Sequence, residues 1–181
     1  MLPAVNFEGK IMMQSPSSIK LAPNGNGSLF DAIRQRQDVQ AVIKNLAYLQ
    51  VIGIDNVIGK VLDPLFIGYT CENGFQASTK TVERESETEP VGLVVSKNGI
   101  TQVIEYMEVP ENIRNEREAV ERTSYWYAPP PGKLIFHQAQ ILVFLLDAQF
   151  LLQMVTQNTN SVVSMYHKAT KKIEHFDFAS Q

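Results

Sequence analysis

The sequence predicts an α/β fold of layered strands and helices, and three observations lead there. Strand and helix signals alternate along the chain, which favours layered packing over a helical bundle or a β-sandwich. The 181 residues are 44% hydrophobic and 19% charged, with 10 Gly and 9 Pro, the composition of a globular chain rather than a disordered or fibrous one. A chain of this length buries roughly 70% of the surface it exposes when unfolded, so one domain over residues 1–181 is the expectation.

The elements follow in order. Lys10–Met13 and Ile19–Ala22 read as short strands around the turn-forming Ser15-Pro16-Ser17-Ser18. Asn24-Gly25-Asn26-Gly27 leads into Ser28-Leu29-Phe30-Asp31, where Ser28 is placed to cap a helix with Asp31 in its first turn. Val39, Val42, Ile43 and Leu46 then sit at the i, i+3, i+4, i+7 spacing of one apolar helix face. Tyr48–Ile54 is an apolar run of strand length ending at Asp55-Asn56, as a strand covered on both faces would. Asp63-Pro64 supplies an N-cap and a first-turn proline for a helix through about Cys71, which Asn73-Gly74 stops.

Val91–Ser96 and Ile100–Met107 flank Lys97-Asn98-Gly99, a hairpin signal, because Asn-Gly accepts the positive φ angles of a tight turn. Glu108–Arg122 is dense in both charge signs and reads as an exposed helix or mobile loop. Ala128-Pro129-Pro130-Pro131-Gly132 breaks regular structure, and Ala139–Leu152 reads as a buried helix, too short and too often polar to span a bilayer.

Charge and cysteine count exclude several classes. Sixteen Lys and Arg against nineteen Asp and Glu give a net charge of -3, and only Lys168, Lys171 and Lys172 cluster, so no nucleic-acid partner is expected. The first residues lack the charged and apolar regions of a signal peptide. Cys71 is the single cysteine. It cannot form an internal disulfide, it makes no zinc spacing with His137, His167 and His175, and it fits a reducing, cytoplasmic setting. Inside its predicted helix it reads as an inert core thiol, and no Ser/His/Asp or Cys/His nucleophile signature is visible.

Three features stand out chemically. The Gly25-Asn26 loop either forms a turn or lets backbone N–H groups and an Asn amide approach a ligand that larger side chains would exclude. Asp55, just past an apolar strand, either satisfies loop N–H groups or holds a metal ion beside phosphates on the edge where open α/β sheets bind ligands. Glu105 shares a strand face with Thr101, Val103 and Met107; it needs a partner such as a ligand hydroxyl if that face is covered, and means nothing if the face is open to water. Tyr125-Trp126-Tyr127 reads as local packing, and the alternating Glu83, Glu85, Glu87 and Glu89 as a solvated face.

Taken in order, several blocks resemble the eukaryotic-type UDP-N-acetylglucosamine pyrophosphorylases, also called UDP-N-acetylhexosamine diphosphorylases. They are Leu2-Pro3-Ala4, Phe7-Glu8-Gly9-Lys10-Ile11, Leu21-Ala22-Pro23-Asn24-Gly25-Asn26-Gly27, Ile54-Asp55-Asn56-Val57, Lys60-Val61 and Asp63-Pro64-Leu65-Phe66-Ile67-Gly68. Lys80-Thr81-Val82-Glu83, Thr88-Glu89-Pro90-Val91-Gly92 and Val103-Ile104-Glu105-Tyr106 continue the series; the resemblance is strong over residues 1–110 and weaker over 111–181.

The resemblance implies a Rossmann-like, glycosyltransferase-A-type nucleotidyltransferase fold, a mixed sheet with flanking helices, here incomplete. It also implies synthesis of UDP-N-acetylglucosamine and pyrophosphate from UTP and N-acetylglucosamine-1-phosphate with magnesium, away from membranes. The sugar phosphate itself attacks the α-phosphorus in that family, so the absence of a protein nucleophile agrees with it. By position, Gly25 would approach the uridine part, Asn26 would bond the sugar nucleotide, and Asp55 would lie by phosphates and metal. Gly92 would line the sugar pocket and Glu105 would accept hydrogen bonds from sugar hydroxyls.

Departures accompany the match. Where the family has F-N-A-G-N-I against the sugar, this chain has Phe136-His137-Gln138-Ala139-Gln140-Ile141, so His137 and Gln140 replace asparagines and Ala139 a glycine. Asn24 stands where an aspartate is usual. The family's upstream phosphate loop has no counterpart, which leads to the expectation of a truncated enzyme with little activity and low solubility, or of a uridine-sugar-binding or regulatory protein.

Overall fold

A computed structural model describes residues 1–105, 108–117 and 132–157. The expectations for Tyr125-Trp126-Tyr127, for Ala128–Pro131 and for the Lys168–Lys172 cluster fall outside those residues. The described residues form two compact units, 1–45 with 151–157, and those within 46–150.

In the first unit, β1 (Leu2–Pro3) pairs with β4 (Leu21–Ala22), and β2 (Met13–Ser15) pairs with β3 (Ser18–Ile19) around the Pro16-Ser17 turn. The strand expected at Lys10–Met13 is displaced, because Ile11 makes only an isolated bridge with Val5 and pairing resumes at Met13. Between Val5 and Ile11, the Asn6 Oδ1 accepts the N–H groups of Glu8 and Lys10 at 3.0 and 2.9 Å, closing a local loop.

Two short helices follow, α1 (Ser28–Gln35) and α2 (Gln37–Ile43). Ser28 does not cap α1. Gly27 occupies the N-cap, and the Ser28 hydroxyl donates back to the Gly25 carbonyl at 2.7 Å, while Asp31 pairs with Arg34 at 2.6 Å. Gln40 Nε2 donates to the carbonyls of Ile33 and Arg34, satisfying the end of α1. Arg36, extended between the helices, holds Asp38 through two hydrogen bonds that lower the Asp38 carboxyl to about 2. The apolar face expected over Val39–Leu46 is cut short: Ile43 is buried and Val39 half-buried, but Val42 is exposed and Leu46 lies past the helix end.

The second unit is built on a five-stranded sheet of β5 (Tyr48–Ile52), β6 (Ala77–Glu83), β7 (Gly92–Lys97), β8 (Ile100–Glu105) and β9 (Gln138–Asp147). All its ladders are antiparallel, so β5, β6 and β7 run one way and β8 and β9 the other. Strand β9 is its axis. One edge pairs with β6 from Gln138 to Leu146; the other pairs with β7 at Ala139 and Gln140 and with β5 from Val143 to Asp147.

The buried helix expected over Ala139–Leu152 is therefore a strand through Asp147, followed by α5 (Ala148–Gln157). An apolar run of this length satisfies its backbone equally well inside a helix or between two strands, and here partners exist on both edges. Asp147 marks the switch, since its Oδ1 accepts the Phe150 N–H at 2.7 Å in the manner of an N-cap.

Other expectations hold locally. The β7–β8 hairpin turns through Asn98 and Gly99 at φ 54 and 77, as the Asn-Gly signal requires. Helix α3 (Pro64–Glu72) starts at Asp63, whose Oδ1 accepts the Leu65 N–H at 3.2 Å, and stops at Asn73 and a left-handed Gly74. Strand β5 ends at Ile52 rather than Ile54, which stands fully exposed. Cys71 is exposed, not a core thiol, because α3 buries the neighbouring Thr70 instead, a turn of about 100° away around the helix. Within 108–117 only one turn of helix forms, α4 (Glu111–Arg114). Three of the four alternating glutamates are engaged: Glu83 with Lys133, Glu87 with Arg117, and Glu89 with the Glu85 and Ser86 N–H groups.

The faces of the sheet differ. Cross-strand partners share a face, and on one face Ala139, Leu93 and Ile104 lie abreast, with Leu93 fully buried and packed with Val95, Val109, Val91 and Phe136. On this same face Thr70 of α3 donates to Ser78 of β6 at 3.1 Å, and Lys80 reaches Asp63 and stacks 5.1 Å from the Phe66 ring centre. Arg84, also in this alternation, is 1% exposed, and its Nη2 donates to the Arg114 carbonyl at 2.9 Å. The edge of β5 away from β9 carries no strand among the described residues, and Ile54, Val57, Ile58, Val61, Leu62 and Leu65 beyond it are exposed. No helix among the described residues is long and apolar enough to cross a membrane.

Replacing Asp147 by Ala should remove the cap at the β9–α5 junction and lower stability by about 1 kcal/mol, read from urea denaturation.

Candidate functional site

Strand β9 is not continuous. Thr79 of β6 faces Phe144 and Thr81 faces Gln140, so Ile141, Leu142 and Val143 stand against Lys80 alone. Leu142 adopts φ 54, a left-handed conformation that costs a non-glycine residue roughly 1–2 kcal/mol. On the opposite edge the same bulge separates two partners. Strand β5 ends where the Gly53 N–H donates to the Leu142 carbonyl at 3.0 Å, and β7 begins with Gly92 opposite Gln140. The carboxyl end of β5 and the amino end of β7 thus meet at one break in the sheet, the kind of place where open α/β sheets admit ligands.

Asp55 lies at that break. The turn after β5 closes through backbone bonds from Asn56 to Gly53, Val57 to Asp55 and Gly59 to Asn56. Its carboxylate accepts no hydrogen bond among the described residues and is exposed. The alternative that Asp55 merely serves loop N–H groups is not what the geometry does. Gly53 makes room for it: a Cβ there would sit 2.9 Å from Asp55 Oδ1 and 3.2 Å from Leu142 Cδ2. The loop itself is held from the sheet by Gln50, whose Nε2 donates to the Lys60 carbonyl at 3.0 Å and whose Oε1 accepts the Leu62 N–H at 2.5 Å. Sequence reading passed over Gln50, although a lone amide in an apolar strand was the available signal.

Gly92 and Glu105 fall in one row across the sheet. Thr81, Gln140, Gly92 and Glu105 pair in succession from β6 through β9 and β7 to β8, so all four face the same side, opposite the apolar core. That side is open: Glu105 and Val103 are exposed, so burial alone demands no partner for Glu105. Its position is what matters, two strand spacings or about 10 Å from Gln140 with only a glycine between. The Gln140 Nε2 is buried and has no hydrogen-bond partner among the described residues. His137 lies just before β9, half-buried, with its Nδ1 3.3 Å from the Ile135 carbonyl. Met107 lies outside the described residues.

Lys80 and Asp63 anchor the site from behind. The Asp63 side chain is only 12% exposed, and hydrogen bonding to Lys80 holds its carboxyl below the usual carboxylate range. Among the described residues no group of three His, Cys, Asp or Glu is placed to cage a metal ion. A lone carboxylate such as Asp55 suits magnesium, which keeps its waters and is shared with substrate phosphates.

In the first unit, Gly25 and Asn26 form the exposed turn that enters α1. Gly25 has φ 75 with open space where a Cβ would be, and the Ser28 and Leu29 N–H groups donate to the Gly25 and Asn26 carbonyls at 3.3 and 3.2 Å. Backbone geometry, not crowding, demands the glycine.

The sheet with its helices shares its fold with solved UDP-N-acetylglucosamine pyrophosphorylases, which is a nucleotidyltransferase-type fold. The UTP–glucose-1-phosphate uridylyltransferase family profile matches residues 1–180, and the chain belongs to that family. It is 30% identical over 178 residues to mouse UDP-N-acetylhexosamine pyrophosphorylase-like protein 1, covering 98% of this chain and 32% of that one. It is 33% identical over 119 residues to the UDP-N-acetylglucosamine pyrophosphorylase of Saccharomyces cerevisiae, covering 65% of this chain and 25% of the yeast protein. The crystal structure of the uridine diphosphate N-acetylglucosamine pyrophosphorylase from Trypanosoma brucei in complex with inhibitor superposes with a TM-score of 0.69 at 28% identity, over 95% of this chain and 32% of that one. The chain spans about a third of the length of the mouse and trypanosome proteins.

The Lys80–Asp63 pair sets a pH dependence. A carboxyl whose folded value is depressed contributes stability above its unfolded value and loses it as pH falls through the folded one. The thermal midpoint should fall as pH drops through and below the ordinary aspartate range, and Asp63→Asn should flatten that acid limb.

Proposed function

We propose that the chain carries the sugar-phosphate part of the chemistry that joins UTP to N-acetylglucosamine-1-phosphate, giving UDP-N-acetylglucosamine and pyrophosphate. One observation carries this reading: the Asp55 carboxylate, without a hydrogen-bond partner among the described residues, lies at the bulge of β9 beside which β7 begins with Gly92, in register with Glu105. The names of the mouse, yeast and trypanosome relatives support the choice of substrate class.

In this reaction an oxygen of the sugar phosphate attacks the α-phosphorus of UTP, and the bond to the β-phosphate breaks as pyrophosphate leaves. No protein nucleophile is needed, so the protein contributes by positioning reactants and balancing charge. Glu105 accepts hydrogen bonds from sugar hydroxyls across Gly92. Asp55 is the residue that would hold magnesium, which when bound offsets phosphate charge. In the first unit, Gly25 lets the backbone approach uridine and Asn26 offers its amide to the nucleotide. His137 replaces the amide of its relatives with an imidazole occupied by its own chain. A cytoplasmic location belongs to this reading, since a lone cysteine needs no oxidising compartment.

A second reading, a uridine-sugar-binding or regulatory protein without turnover, is favoured by one observation: His137 and Gln140 stand in place of asparagines in the sugar block. Release of pyrophosphate from UTP and N-acetylglucosamine-1-phosphate separates the two.

Calorimetric titration of the chain with UDP-N-acetylglucosamine and with UTP, in magnesium, should show binding below millimolar concentration; silence with both ligands would sink the reading. Gly53→Ala, which pushes on the Asp55 carboxylate, should weaken UTP binding several-fold in magnesium, while the urea midpoint stays nearly unchanged.

A further inference from the structure

The bulge in β9 divides its ladder with β6. On the side where β9 begins, the ladder consists of Thr81 with Gln140, Val82 with Ala139 and Glu83 with Gln138, and the register shift between Thr79 and Thr81 separates these pairs from the rest. Strand β7 adds only Gly92 opposite Gln140 and Leu93 opposite Ala139. So short a stretch is open to slippage, and a slip of one residue would turn Gln140 to the covered face and break the row that reaches Glu105.

Arg84 closes the free end of that stretch. Its N–H donates to the His137 carbonyl at 2.6 Å, one step beyond the pairing of Glu83 with Gln138. Its side chain, on the side opposite the row, is 1% exposed and donates from Nη2 to the Arg114 carbonyl at 2.9 Å, at the end of α4. The chain leaving α4 is tied in turn to the approach to β9, where the Ile135 N–H donates to the Glu116 carbonyl at 3.0 Å and Arg117 bridges Leu134. One residue thus links β6, α4 and the segment that delivers His137 to the sheet.

Packing does not explain a guanidinium here. Nε and Nη1 have no hydrogen-bond partner among the described residues, and a desolvated cation held this sparsely is often replaced by an apolar side chain without loss of stability. An apolar side chain cannot supply the directed bond to Arg114, which fixes position rather than adding stability.

We propose that Arg84 is a positioning residue for sugar binding: it locks the register of β9 against β6 so that Gln140 and Gly92 stand in line with Glu105. It touches no ligand and acts through the backbone of β9. The assignment rests on the uridine-sugar reading given above. The ladder it locks serves the sugar and not the Asp55 carboxylate or the Gly25 turn, so ligands with and without a sugar respond differently to its loss.

The test is calorimetric titration of the whole chain, of Arg84→Met and of Arg84→Lys with UDP-N-acetylglucosamine and with UTP, in magnesium. Met keeps an unbranched side chain and removes every donor, whereas Lys keeps one donor for the Arg114 carbonyl. Arg84→Met should lose about tenfold or more in affinity for UDP-N-acetylglucosamine, as displaced positioning groups do, and hold UTP within about twofold. Without ligand it should melt within about 4 °C of the wild type. Arg84→Lys should bind UDP-N-acetylglucosamine within about threefold of the wild type, because a single bond, not a bidentate fork, is at stake.

An Arg84→Met variant that binds the sugar nucleotide as the wild type does overturns the assignment. So does one that loses both ligands alike or melts many degrees lower, since Arg84 would then be a general support of the fold, and so does an Arg84→Lys variant that recovers nothing. Each of these results leaves the uridine-sugar reading standing. A wild type that binds neither ligand overturns the assignment together with the reading beneath it.

Discussion

Strands β5, β6 and β7 do not pair with one another among the described residues; β9 is the one partner they share, along one edge or the other of a ten-residue strand. The register of the whole second unit therefore hangs on how β9 is read by its neighbours. A one-residue slip would send Leu93 and Ala139 to the solvent face and Gln140 and Gly92 into the core. The bulge at Ile141–Val143 lets β9 serve β7 and β5 in succession on one edge while β6 follows it on the other. The left-handed backbone at Leu142 is the local strain that accompanies this, and it falls where the sheet opens.

The division of labour between the faces follows. Polar contacts that fix structure sit on the covered side: Thr70 to Ser78, Lys80 to Asp63, and Gln50 to the 60–62 backbone. Only the Lys80–Asp63 bond among them is charge-assisted, and it ties α3 to the sheet, while Gln50 holds the loop after Asp55 through two neutral, exposed bonds. The side-chain groups that have no hydrogen-bond partner among the described residues, the Asp55 and Glu105 carboxylates and the Gln140 Nε2, stand at the break or on the open face. Fixed polar groups behind and unsatisfied ones in front are what a preorganised binding surface requires.

Arg84 belongs to neither set. Burial pushes its guanidinium down from its ordinary value, and Nε and Nη1 lack partners, yet its Nη2 bond to the Arg114 carbonyl ties β6 to α4. A buried cation with one hydrogen bond is weak evidence of stabilisation and stronger evidence of a fixed geometry.

Short-range chemistry was legible in the chain itself. The Asn98-Gly99 turn, the Asp63-Pro64 start and Asn73-Gly74 stop of α3, and the demand for glycine at position 25 all follow from φ preferences and caps that act within four residues. Gly92 was singled out through a resemblance spread over many blocks, and strand alternation put Glu105 with Val103 on one face, as the register shows. Tertiary structure decided everything that depends on partners distant in sequence. Ala139–Asp147 is a strand because β5 and β6 are there to pair with it, Cys71 is exposed because Thr70 packs instead, and Gln140 lies opposite Gly92 because register sets it there. Apolarity records that a segment is buried, whereas only the neighbours that bury it choose between helix and strand and say which side chains meet.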